Sequence, residues 1–443
     1  MFPAFLLFFS LPFASAVPAT RDHVHNINHP LPATSWYLPR DHPANDLFKR
    51  APGDGVNYAP VGSPTWSSGF PQSTPDPNKL PAEWVNALNA AVAAGKIPNV
   101  PQSTNTPGVN PVYPQGVNPN GPEVCSATYK CRHPEDIWDA PPNYFGTGFD
   151  DGPLPDTPKL LQFLQQNHET ATHFMIGVNI LAYPQQFSAT FESGGDIAAH
   201  TWTHPYMTTL NNLEVLGQLG WTSALIKNST GGRIPRFWRP PYGDSDNRVR
   251  AIAKEIFGLE TILWNQDTRD WSLLTGGTTQ ATIHNSMQQW LSGPKTPGLI
   301  VLEHESSDQS VQAFMDAYPL IKSNGWNAMS VAQLAGNGTT YRNAKDSMSS
   351  VTPAGILVDD DIVPSGTPSS SSSSSSLVPS SAPPSRSTVM QTLGQSQTPT
   401  GSGNSLAATN TPTESAALCN TDTTWSRTLL LACLTVTVLS AWP

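Results

Sequence analysis

Between residues 136 and 341 short apolar runs alternate with amphipathic stretches, and this alternation narrows the possible folds more than any other property of the chain. The apolar runs lie at 144–149, 172–176, 196–199, 236–238, 260–264, 299–302 and 327–330. Helix-period segments fall between them at 157–166, 210–226, 246–257, 281–291 and 310–323. A strand reached through a helix pairs parallel with its predecessor, whereas a tight hairpin can join only antiparallel strands. Seven such units in about 200 residues predict an α/β domain over 135–345, a distorted, incomplete (β/α)7-type barrel. Chemistry in such folds gathers at the C-terminal ends of the strands.

The flanks differ in composition. Residues 51–134 are rich in Pro, Gly and Asn, with one helical stretch at 81–95 that carries Trp84, Val85, Leu88 and Ala91; an extension with little core of its own is expected. Residues 351–415 turn to Ser, Thr and Pro, with eight consecutive serines at 369–376. Such a stretch cannot bury enough apolar surface to offset its ordering entropy, and a disordered, O-glycosylated stalk is expected. Residues 1–16 hold an apolar run from Phe5 to Phe9 and then Ala14-Ser15-Ala16, the pattern of a signal peptide. Lys49-Arg50 either ends a propeptide over 17–50 or is an ordinary surface pair.

The apolar stretch from Leu429 to Leu439 is shorter than the about 20 residues that a membrane span needs. Together with the small triplet Ser415-Ala416-Ala417 and a polar spacer at 418–428, it resembles a glycosylphosphatidylinositol-anchor signal. Residues 416–443 would then be removed and lipid joined at Ser415, the alternative being a free secreted chain. A place at the cell wall and the outer face of the plasma membrane is expected, and sequons at Asn228 and Asn337 agree with passage through a eukaryotic secretory pathway. Cys125 and Cys131 are close enough in sequence to close one small disulfide loop in an oxidising compartment. Cys419 and Cys433 would leave with the tail, and the two cysteines that remain cannot hold zinc alone, so any metal needs other ligands. A net charge of -10 argues against a nucleic-acid partner, and a monomer is expected.

Five clusters end successive strands. Phe149-Asp150-Asp151-Gly152-Pro153 sets two carboxylates at a turn, a pattern that surface turns also show. In His200-Thr201-Trp202-Thr203-His204, two histidines four apart on a helical turn can chelate one divalent ion. Arg239-Pro240-Pro241-Tyr242-Gly243, Asp267-Thr268-Arg269-Asp270-Trp271 and Val301-Leu302-Glu303-His304-Glu305 follow. Each of these three has a plain reading as a stiff loop, a charged turn or a histidine beside the core. Five in this order, each at a strand end, do not.

This ordered set resembles the five motifs of the polysaccharide deacetylases of carbohydrate esterase family four (the NodB-homology domain), most of all the fungal chitin deacetylases. One departure is Gly148, where the family commonly has a hydroxyl residue. The resemblance implies Asp151, His200 and His204 as ligands of one divalent ion, zinc by choice with cobalt also suited. It further implies Asp150 as general base, His304 as general acid, Asp270 as the carboxylate that orients His304 (Asp267 being the alternative), and Arg239 as the residue that holds the base. Tyr242 would offer its backbone N–H to the oxyanion, and Trp271 with Leu302 would form the pocket for the acetyl methyl. The implied activity is hydrolysis of N-acetyl groups in chitin, giving chitosan and acetate. Two other readings remain open: a deacetylase or O-esterase acting on peptidoglycan or xylan, and a non-catalytic wall protein that binds glycan through exposed aromatics such as Trp202 and Tyr206.

Overall fold

In the computed structural model, residues 51–106 and 109–358 are described. The expected signal peptide, propeptide, most of the stalk, Ser415 and the anchor signal lie outside them. Among the described residues, eight strands form one sheet: β1 (Tyr144–Asp150), β2 (Thr172–Met175), β3 (Asp196–Ala199), β4 (Phe237–Trp238), β5 (Glu260–Thr261), β6 (Gln266–Asp267), β7 (Leu299–Leu302) and β8 (Asn327–Ser330). Their order is β5-β4-β3-β2-β1-β7-β6, with β8 also on β1, and every pairing between them is parallel. β1 pairs with β8 from Tyr144 to Thr147 and with β2 from Gly148 to Asp150, while β7 meets it at Phe145 and Gly146. The result is a half-barrel with helices outside it, a distorted and incomplete (β/α) barrel.

The helices form where caps and apolar spacing agree. Asp246 accepts from the backbone N–H groups of Arg248 and Val249 and so caps the helix Asn247–Phe257, which ends at Gly258 with a left-handed φ of 63°. Val249, Ile252, Ala253, Ile256 and Phe257 recur on one helical face and are all buried. Asn211 and Glu214 make a reciprocal capping box at the start of Asn212–Ser229. Two short helices, Gly177–Ala182 and Pro184–Glu192, follow β2 without having been expected from the sequence, and the run at 260–264 is a strand only at its first two residues.

The Pro-rich segment is tied to the barrel and has a small cluster of its own around Val100, Tyr113 and Val124. Trp66, Phe70, Trp84, Leu88 and Ile97 share one apolar cluster with Trp202, Leu216 and Leu219. A Cβ on Gly220 would lie 2.5 Å from the Trp84 ring, so the close approach of helices Ala82–Ala93 and Asn212–Ser229 requires a glycine there. Past residue 345 the chain stays on this body: Ala344 pairs with Val351, Arg342 donates to the Ile356 carbonyl at 2.6 Å, and Ile356 is buried. The boundary expected at 351 falls within this packed segment.

Candidate active site

Four of the five clusters contain a non-glycine residue in the left-handed region: Asp151 (φ 73°), Thr201 (66°) and His204 (60°), Tyr242 (58°) and Arg269 (58°). Each such residue costs on the order of 1–3 kcal/mol and persists only where its surroundings hold it. Around Asp151, the Asn179 side chain donates to the Asp151 carbonyl at 2.8 Å and the Ile176 N–H to that of Gly152 at 2.9 Å. Around the histidines, Gln218 Oε1 accepts from the N–H groups of Trp202 and Thr203 at 2.8 and 2.9 Å. The two histidines therefore sit on an irregular turn with two left-handed residues, not on the helical turn their spacing suggested.

Asp151, His200 and His204 each offer one ligand atom, and these atoms lie within 4.8 Å of one another. Asp151 Oδ1 is 3.3 Å from His204 Nε2 and 3.5 Å from His200 Nε2, yet it has no hydrogen-bond partner although buried. His200 Nδ1 lies 2.7 Å from the Arg239 carbonyl, which can only accept, so that nitrogen is the donor and Nε2 is the one turned to the centre. Burial, helped by the charge of His200, pushes the His204 imidazole down to about 4 against the opposing pull of Asp151 and Asp150, so it is neutral near pH 7. Burial raises the Asp151 carboxyl, but His200, His304 and His204 outweigh it and hold it below the usual carboxylate range. One carboxylate and two imidazoles whose ligand atoms converge on one point fit a divalent ion with open positions.

Beside this trio lie Asp150 and His304. The backbone bridges these two residues in parallel register, which places their side chains on the same face of neighbouring strand ends. Arg239 is fully buried, donates from Nη1 to Asp150 Oδ1 at 2.7 Å, and stacks its guanidinium 4.0 Å from the Phe174 ring centre. Asp150 Oδ2 is left facing His200 Nε2 at 3.8 Å. Asp270 takes hold of His304 twice, Oδ1 at 2.7 Å from Nδ1 and Oδ2 accepting from the backbone N–H at 2.8 Å. Burial alone would lower the His304 pKa, but the Asp270 charge and hydrogen bond, with Asp151 and Asp150 behind them, raise it to about 10. Asp267 instead is exposed and accepts from the Arg269 N–H, whereas the hydrogen bonds to His304 come from Asp270.

At the rim, Tyr242 and Trp271 are half-exposed, whereas Leu302 is buried in the inner cluster with Phe174 and Trp264. The Tyr242 ring stacks on Tyr206 at 4.0 Å and meets His204 edge-on at 4.6 Å. Trp202, expected as an exposed aromatic, is fully buried: it stacks near Phe70 and donates from Nε1 to the Ser73 carbonyl at 3.0 Å. Gly148 has no room for a hydroxyl residue without movement, since a Cβ there would lie 3.1 Å from Val331 and 3.3 Å from Phe174. Away from the site, Cys125 and Cys131 are joined as a disulfide. Asn228 is half-buried within a helix, and Asn337 is exposed. Sequence reasoning missed His173, which pairs with Glu305 behind the turn; a histidine inside an otherwise uncharged strand was its only signal.

A family model for polysaccharide deacetylases matches residues 139–261. Chitin deacetylase 3 of Cryptococcus neoformans is 41% identical over 308 residues, covering 67% of this chain and 72% of that protein. Chitin deacetylase 1 of Saccharomyces cerevisiae is 33% identical over 281 residues, covering 62% of this chain and 84% of that protein. Among solved structures, the chitin deacetylase of Colletotrichum lindemuthianum is 25% identical with a TM-score of 0.43, over 47% of this chain and 95% of that one.

Proposed function

Because this chain belongs to the polysaccharide deacetylase family, we propose that it hydrolyses the N-acetyl groups of a chitin-like polymer, releasing acetate and leaving free amines on the sugars. The observation that carries the reading is the meeting, at one set of strand ends, of the Asp151–His200–His204 trio with an Arg239-held carboxylate and an Asp270-held imidazole. A divalent ion bound by the trio, zinc by choice with cobalt also suited, would supply a Lewis acid that draws charge from the carbonyl and brings the pKa of water towards about 7. Asp150 accepts the proton of the attacking water on Oδ2, because Oδ1 is committed to Arg239. His304 donates from Nε2, since Nδ1 is committed to Asp270, and the amine nitrogen departs protonated as the C–N bond breaks. The Tyr242 N–H, turned by a left-handed φ, is suited to the developing oxyanion, and Trp271 with Leu302 to the acetyl methyl.

Chitin is favoured because relatives that share most of their length with this chain are named for it. The leader-like 1–16 and the anchor-like 416–443 support a secreted protein held by lipid at the cell surface, where such a polymer would be met. Acetate release should be compared across chitin oligomers, peptidoglycan and acetylxylan. The largest kcat/KM is expected on chitin oligomers; faster release from acetylxylan would identify an O-esterase instead.

The acid role also fixes a pH dependence. The His304 proton is present below a pKa of about 10 and lost as pH rises through it, so activity falls on the alkaline side. In Asp270→Asn the opposing charge is gone and burial dominates, and the alkaline limb of kcat/KM should move about 1–3 pH units lower. An unmoved limb would detach this pair from the proton transfer.

A further inference from the structure

None of the chemistry above uses the buried pair that lies behind the turn after β1. His173 on β2 and Glu305, three residues past β7, both have side chains with 0% exposure, and His173 Nδ1 lies 2.9 Å from Glu305 Oε1. His173 Nε2 and Glu305 Oε2 have no further hydrogen-bond partner. Two such groups are costly to bury, and apolar residues of similar volume often serve stability as well or better. Their position shows what they hold. A Cβ on Gly152 would meet Glu305 Oε1 at 2.0 Å and Cδ at 2.5 Å, so the carboxyl group lies directly against the Gly152 Cα. The Glu305 N–H also donates to the Asp150 carbonyl at 3.2 Å. Glu305 thus grips the Asp150–Gly152 turn from two sides, and His173, in register with Phe149 on β1, fixes the carboxyl from behind.

Between those two contacts stands Asp151, in the left-handed region with its Oδ1 directed at His200 and His204. We propose that Glu305, itself held by His173, is a positioning residue that sets the direction in which Asp151 presents Oδ1 to a bound ion. The proposal rests on the reading of Asp151, His200 and His204 as the metal centre.

The test measures ion binding rather than turnover. Zn2+ affinity by chelator competition, the visible spectrum of the Co2+-loaded protein and the melting temperature of the metal-free protein are compared for wild type, Glu305→Gln, Glu305→Ala and Gly152→Ala. Glu305→Ala should weaken Zn2+ binding about 10–100-fold, the usual effect of removing a group behind a ligand, and should alter the Co2+ spectrum. Glu305→Gln keeps the shape and one hydrogen bond to His173, and should stay close to wild type. Gly152→Ala pushes the carboxyl off the turn from the other side and should reproduce the loss even if Glu305→Ala does not fold. Lower melting temperatures with unchanged affinity and spectrum would overturn the proposal, leaving the pair a brace for the fold alone. A wild-type protein that binds neither ion would overturn the metal-centre reading, and the proposal with it.

Discussion

A protein carrying both His200→Ala and His204→Ala is expected to fold, to retain no stoichiometric divalent ion and to lose turnover. Removing two of three ligands should cost more ion affinity than the about 10–100-fold typical of changes behind a ligand. Folding should survive because little else depends on these rings. His204 is partly exposed, and the loss of His200 leaves chiefly the Arg239 carbonyl without its donor. That is a penalty of about 1–3 kcal/mol against a typical stability of 5–15 kcal/mol. Metal analysis, circular dichroism and acetate release on the same sample check this, and stoichiometric metal with normal turnover would place the centre elsewhere.

The second large effect belongs to Asp150. Asp150→Asn keeps the side-chain shape and an acceptor for Arg239 Nη1, so the buried Arg239 retains a partner, but the group can no longer take a proton. Breaking a buried ion pair outright costs about 3–5 kcal/mol, which is why Asn rather than Ala is the informative change. Turnover should fall by about 10²–10⁴, the usual worth of a general base, with ion binding intact because Asp150 is not among the three ligands. Steady-state kinetics alongside metal analysis measure this directly.

Much of this site was legible in the sequence, because its chemistry-bearing residues fall in short clusters at the ends of apolar runs, and a strand end is where a parallel α/β fold exposes function. Residues whose roles depend on distant partners were not. Trp202 stands among polar neighbours and reads as exposed, but Phe70 and Ser73, about 130 positions earlier, cover it. His173 acquires its meaning only from Glu305, 132 positions away. Gln266–Asp267 has no apolar residue to announce a strand and is one only because it pairs with β7. The left-handed φ values at Thr201 and His204 are imposed by Gln218 and by packing, and spacing alone could not distinguish that turn from a helical one.

Asp150 and His304 are expected to move protons in opposite directions during cleavage of an amide. Comparing kcat/KM for an N-acetyl amide with that for an activated ester, whose leaving group needs no proton, tests it most directly in Asp150→Asn and His304→Ala. His304→Ala should be slow on the amide and recover much of its activity on the ester, whereas Asp150→Asn should remain slow on both. Equal residual activity of the two variants on both substrates would contradict the assignment.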